Sequence, residues 1–351
     1  MTSTAHITGF GIATPDPVDQ DTLWDEYFAH HFADVRVARR LFHGSQVRRR
    51  HAMVNPVLED VSTWSTGTRM RRYEREAPPL GSAAVSAALA DSGLSPTDIG
   101  LFAVASCTGY ATPGLDIRLA AELGLSADAQ RLMIGHMGCY AALPGLGAVT
   151  DFVLARARPA VLLCLELTSL HVQPPTQDVD QVVAHSLFSD AAAAVVVQPE
   201  PVRARGALKV VDVTALTDPA TSDHMTWNVT DLGFRMGLSP RVPEVLAHHV
   251  APTITGLLDR HGLTTTDVDA WAVHPGGPRI LDTVAHALEL PADALLTSQR
   301  VLAEHGNCSS ATVLLVLHAL HAAGRPRPGG YGVAMAFGPG LTLYAALVRA
   351  T

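Results

Sequence analysis

Lysine is almost missing from this sequence. Lys209 is the one lysine among 25 basic residues, and the other 24 are arginine. Any anion site must therefore use arginine forks, backbone N–H groups or histidine. Charge of either sign is sparse: charged residues make up 17% of the chain, with a net charge of −8. That balance argues against a nucleic-acid partner. Cysteine is scarce too. Cys107, Cys139, Cys164 and Cys308 show neither close metal-ligand spacing nor a dense disulfide framework. Long apolar runs are absent. Stretches such as 161–165 and 191–197 fall far short of the ~18 residues that span a bilayer. The first 15 residues lack a basic segment followed by an apolar one, so no signal peptide is expected. These absences together predict a soluble, cytoplasmic protein whose thiols stay reduced.

What is present is core-forming material. Apolar residues make up 48% of the 351 positions, enough for one large domain or two smaller ones. The chain also repeats itself. Residues 89–99 read Leu-Ala-Asp-Ser-Gly-Leu-Ser-Pro-Thr-Asp-Ile, and residues 258–268 read Leu-Asp-Arg-His-Gly-Leu-Thr-Thr-Thr-Asp-Val. Each copy predicts a helix, a glycine at its end, a Ser/Thr-rich turn and a short buried strand. A second match sets Gly138-Cys139-Tyr140-Ala141-Ala142 against Gly306-Asn307-Cys308-Ser309-Ser310. Apolar stretches follow at 143–154 and 311–323, and both predict buried helices. Two collinear matches about half a chain apart predict an α/β fold of two similar halves, 1–200 and 201–351. Residues 1–80 form an additional, arginine-rich segment of the first half.

The repeat singles out one thiol. Cys139 and Asn307 hold equivalent positions, each opening a buried helix. Free N–H groups and partial positive charge at a helix start lower a thiol pKa and favour the thiolate. The same groups serve as an oxyanion hole. His274 follows an expected strand and precedes Pro275-Gly276-Gly277, where side chains project into a crevice between α/β units. As an imidazolium it would pair with Cys139 and later donate a hydrogen bond to a thioester carbonyl. Asn307 would donate its amide N–H to the same oxygen. Taken alone, each of the three also fits a bland role: packed core, turn or cap.

Longer motifs add to this. The segments are His274-Pro275-Gly276-Gly277-Pro278, Glu304-His305-Gly306-Asn307-Cys308-Ser309-Ser310-Ala311 and Phe337-Gly338-Pro339-Gly340-Leu341-Thr342. The first half contributes Thr112-Pro113-Gly114, Gly138-Cys139-Tyr140-Ala141 and Leu187-Phe188-Ser189-Asp190-Ala191. Over nearly the whole chain they resemble type III polyketide synthases, the chalcone-synthase-like enzymes. The resemblance implies a thiolase fold, a duplicated five-layered αβαβα arrangement with pseudo-twofold halves. It implies a homodimer, with the 112–114 loop reaching toward the interface. It implies no bound cofactor and no metal; coenzyme A thioesters are the substrates. A starter from acyl-CoA would load onto Cys139, and malonyl-CoA would extend it by decarboxylative condensation before the chain cyclises.

The same resemblance implies roles for further residues. Phe188 matches a gatekeeper between the coenzyme A tunnel and an inner cavity. Met236 stands where the second gatekeeper Phe is expected, and Trp227 where chalcone synthase has a small cavity residue. Cys107, Thr108, Thr168, His171 and Ser309 match cavity-lining positions, Cys308 joins the cavity wall, and Cys164 goes to the core. Arg39, Arg40 and Arg279 match positions used on the nucleotide phosphates, with Arg48-Arg49-Arg50 nearby. Met236 and the Trp227 segment look most like microbial alkylpyrone and alkylresorcinol synthases, which favours an aliphatic starter. The alternatives are a malonyl-only tetrahydroxynaphthalene-type synthase, a single-condensation ketoacyl synthase III-like enzyme, or an idle thiolase-like subunit.

Overall fold

The structure is a computed structural model that describes residues 4–200 and 206–351. The expected boundary between the halves, at residues 200 and 201, adjoins a segment outside the described residues. Nine strands form one hydrogen-bonded sheet. In chain order they are β1 (Ala5–Ala13), β2 (Leu101–Ser106), β3 (Gln130–Gly135), β4 (Ala160–Glu166), β5 (Ala191–Pro199), β6 (Leu208–Thr217), β7 (Val268–Val273), β8 (Tyr331–Gly338) and β9 (Thr342–Ala350). Their spatial order is β7-β8-β9-β6-β1-β5-β4-β2-β3.

Apart from the edge strand β3, that order is symmetric about the β1/β6 pair. Outward from β1 run β5 antiparallel, β4 antiparallel and β2 parallel to β4. Outward from β6 run β9 antiparallel, β8 antiparallel and β7 parallel to β8. The repeated helix–turn–strand units match bond for bond. Leu94 N–H donates to Leu89 O and Leu263 N–H to Leu258 O, both at 3.1 Å. Ser95 and Asp98 form a capping box, and so do Thr264 and Asp267. One expectation needs amending. β1 lies inside the segment read as an addition to the first half, yet it is a buried strand beside the symmetry axis, because its Ile7 and Phe10 pack into the central core.

The main helices are α1 (Ala38–Gly44), α2 (Thr66–Ser92), α3 (Leu115–Leu123), α4 (Ala142–Arg156), α5 (Val179–Leu187), α6 (Val242–Asp259), α7 (Pro278–Ala287), α8 (Leu296–His305) and α9 (Thr312–Ala322). Strand alternation sorts them into layers. Leu101, Ala103 and Ala105 of β2 and Ala270 and Ala272 of β7 face one shared core with α4 and α9. Phe102 and Val104 face the other way, onto α2 and α3. Trp271 and Val273 face α6 and α7. The result is five layers, with α4 and α9 in the middle, as the resemblance implies. The expectation that no apolar run reaches bilayer-spanning length needs correcting: Gly138–Arg156 is long and apolar enough by length and composition, and it is mostly buried, packed between the two sheet halves.

Close approach of α2 to β1 depends on two glycines. A Cβ on Gly11 would sit 2.0 Å from the Ala84 carbonyl oxygen, and one on Gly9 2.3 Å from that of Ala88. Both obstacles are backbone and cannot swing aside. Gly11→Ala should therefore force α2 off the sheet, at a cost of about 3 kcal/mol or more. A thermal melt measures this; an unchanged midpoint would show that the layer has slack.

Candidate active site

Three chain turns converge. The first follows β3, where Gly138 adopts φ +73° and a Cβ there would meet Pro339 at 2.6 Å. Cys139 sits next, in a one-turn 3-10 helix that leads into α4. The second turn follows β7, where His274 N–H donates to Met335 O at 2.8 Å. The third follows α8, where Gly306 at φ +69° lets Asn307 bond across to the other half. Asn307 N–H donates to Leu187 O at 2.8 Å, and Ser189 N–H donates to Asn307 O at 2.9 Å. These two bonds make Phe188 and Asn307 one short β-bridge. The Asn307 side chain is oriented as well. Its Oδ1 accepts from Ser309 N–H at 2.9 Å and from the Thr312 hydroxyl at 3.4 Å. That leaves the Nδ2 donors for the cavity, which Cys139, His274 and Asn307 all line.

The electrostatics differ from the expectation of a thiolate paired with an imidazolium. Burial pushes the Cys139 thiol up to about 12, against smaller opposing contributions from Ser309 and Asn307. The negative Glu166 also disfavours a thiolate there. Burial pushes His274 down to about 3, and neither ring nitrogen has a hydrogen-bond partner among the described residues. Desolvation thus outweighs the helix start, because both groups lie under the surface and not at it. Each charge alone is disfavoured.

Two spaces meet at this point. The outer cavity measures 520 Å³ and opens past Arg40 and Arg279. The inner one, beyond Phe188 and Met236, is only 20 Å³. Cys107, Thr108, Thr168, Trp227 and Ser309 line the inner space, as the resemblance implies. Trp227 fills much of it, held by an Nε1–H bond to Cys107 O at 2.8 Å.

Other expected positions differ. His171 lines neither cavity; it stands behind the wall, donating from Nε2 to Thr108 O at 2.7 Å and accepting Phe234 N–H at Nδ1. Cys308 is fully buried in the central core beside Cys164, not in the cavity wall. Arg39 is exposed and points toward His43, away from the cavity. Arg48 and Arg49 pair with Glu304. Arg50 turns inward and caps the end of α5, donating to His185 O at 2.6 Å and Phe188 O at 3.1 Å.

Sequence reasoning missed Glu166. It is fully buried at the end of β4 and accepts from Cys107 N–H, the Thr108 hydroxyl and the Ser310 hydroxyl. Burial pushes its carboxyl pKa up despite these donors. A lone acidic residue ending an apolar strand was the available signal.

His171 carries a pH signature. Burial holds it at about 3 in the folded protein, while the unfolded chain takes up its proton near the ordinary ~6.5. Its contribution to stability is therefore complete above pH 6.5 and is lost as pH falls toward 3. Between pH 7.5 and 5 the stability penalty of His171→Gln should shrink by about 2 kcal/mol. Denaturant melts at the two pH values test this; an equal penalty at both would contradict it.

Comparison with known proteins agrees with this geometry. Residues 2–201 match the N-terminal domain of chalcone and stilbene synthases, and residues 210–351 match the C-terminal domain. A 1,3,6,8-tetrahydroxynaphthalene synthase of Streptomyces peucetius subsp. caesius is 37% identical, covering 90% of this chain and 84% of its own. An alpha-pyrone synthesis polyketide synthase-like protein of Mycobacterium tuberculosis is 33% identical, covering 97% and 90%. Among solved structures, PKS-I of the brown alga Ectocarpus siliculosus superposes with a TM-score of 0.94 at 29% identity, covering 100% of this chain and 99% of its own. The tetrahydroxynaphthalene synthase of Streptomyces coelicolor A3(2) gives 0.91 at 30% identity, with 99% of each chain covered. With both family domains matched in order, this chain belongs to the chalcone and stilbene synthase family and is a type III polyketide synthase, an acyl-transferring enzyme of thiolase fold.

Proposed function

We propose that the enzyme loads an aliphatic acyl-CoA starter on Cys139, extends it with malonyl-CoA and cyclises the chain to an alkylpyrone or alkylresorcinol. The observation that carries this reading is the division of space around Cys139. An apolar cavity of 520 Å³ adjoins the thiol, while the inner cavity of 20 Å³ holds about one water molecule. An alkyl chain suits the first space. A growing polar polyketide has little room in the second while Trp227 keeps this position.

The residues divide the work as follows. The Cys139 thiol attacks the starter carbonyl as His274 takes its proton, and the proton leaves with coenzyme A. Malonyl-CoA then loses CO₂. An N–H of His274 and the Asn307 amide donate to the resulting enolate oxygen. The carbanion attacks the Cys139 thioester, the new C–C bond forms and the thiolate departs. Arg40 and Arg279 at the mouth would receive the nucleotide phosphates as fixed forks.

A second reading, a malonyl-only synthase, is supported by the likeness to the tetrahydroxynaphthalene synthase of Streptomyces peucetius. Fatty acyl-CoAs of graded length with labelled malonyl-CoA separate the two. Labelled products that grow in mass with the starter are expected. Labelled product from malonyl-CoA alone, indifferent to added acyl-CoA, favours the second reading.

We also infer a homodimer through β3. It is an edge strand whose Leu132 and Met133 are 38% and 40% exposed, and an unpaired apolar edge invites a second copy. Met133→Asp should convert the dimer to monomer in light scattering. A wild-type monomer would rule the dimer out.

A further inference from the structure

The walls of the outer cavity are of two kinds. One side comes from α1 and the turn after β7: Arg40, Gly44, Ser45, Gly276, Gly277 and Arg279. It is charged at its rim and rich in glycine. The rest comes mainly from α6, from α5 with Val183, Ala184 and Leu187, and from a hairpin of strands Met225–Thr230 and Gly233–Leu238. The hairpin and α6 contribute Met225, Met236, Leu238, Val242 and Leu246. They pack within one continuous apolar cluster that also includes Phe337. Val242 and Leu246, one helical turn apart, present the same face of α6.

The reaction needs two occupants at once. After loading, the acyl chain stays on Cys139 while a second coenzyme A thioester must enter by the same mouth. With the inner cavity at 20 Å³, the resting protein leaves no place beyond Phe188 for an alkyl tail. Resting on the acyl-CoA starter reading above, we propose that the tail lies in the outer cavity, against α6 and the hairpin. The pantetheine arm then passes along the glycine-rich wall opposite. Leu246 and Val242 become the determinants of starter length, since the tail runs over them. Each further methylene held on that wall strengthens binding about fourfold until the wall ends.

The test is kcat/KM for acyl-CoAs from two to sixteen carbons, each value divided by the same variant's value with acetyl-CoA. Leu246→Phe should lower the dodecanoyl-to-acetyl ratio at least tenfold. Leu246→Ala should move the preferred length upward by two or more carbons. Val242→Phe serves in place of Leu246→Phe should that variant not fold. Trp227→Gly, at a residue that lines the inner cavity and not the outer one, should leave the length preference within twofold. Ratios unmoved by the α6 substitutions, in an enzyme that still uses fatty acyl-CoAs, overturn the placement and leave the starter reading intact. A wild-type enzyme that uses no fatty acyl-CoA overturns both.

Discussion

Two helices packed between the sheet halves, α4 and α9, set the terms for the rest of the molecule. A helix between two sheets needs small residues on both facing walls. Here the inner faces of β2, β5, β7 and β8 are largely alanine. The outer faces of β2, β7 and β8 carry Phe102, Trp271 and Met335, because only single-sided helices press on them. The symmetric packing also brings the two helix starts together. Cys139 and Asn307 meet because the duplicated layers leave no other arrangement for α4 and α9. Chemistry at this site is thus a by-product of how the core closes.

Burial gives the site its power and its restriction. The thiol and the imidazole are both buried, so neither is stable as a lone ion. The same burial strengthens the hydrogen bonds made beside them. Asn307 contributes a fixed amide, since Ser309 N–H fastens its oxygen. The backbone bridge to Phe188 means that the donor and the wall between the two cavities share one support.

Much of this was legible in the residues. The paired helix–turn–strand segments gave the duplication, because a glycine at a helix end and a Ser/Thr–Asp cap are local features that tertiary packing does not override. The convergence of Cys139, His274 and Asn307 followed from the same repeat. What sequence did not reveal was depth. Ionisation depends on how much protein lies above a group, and no spacing encodes that. For the same reason the exact walls escaped. His171 and Cys308 sit within reach of lining positions, yet one faces Phe234 and the other the central core. Val242 and Leu246 went unnoticed because an apolar helix face looks the same whether it meets a core or a cavity. Trp227 stood out, since a large ring at a position matched by a small one must displace volume somewhere.

The shortage of lysine has a chemical consequence at the mouth of the outer cavity. An activated thioester acylates free amines without any catalyst, and a lysine placed to hold its phosphates would be the nearest amine to the reactive carbonyl. Arg40 and Arg279 line that cavity instead, and a guanidinium offers no such amine. The one lysine, Lys209, is paired opposite His6 at the seam between the sheet halves. A thioester entering this cavity would therefore meet guanidinium groups, and no lysine amine, on its way to the Cys139 thiol.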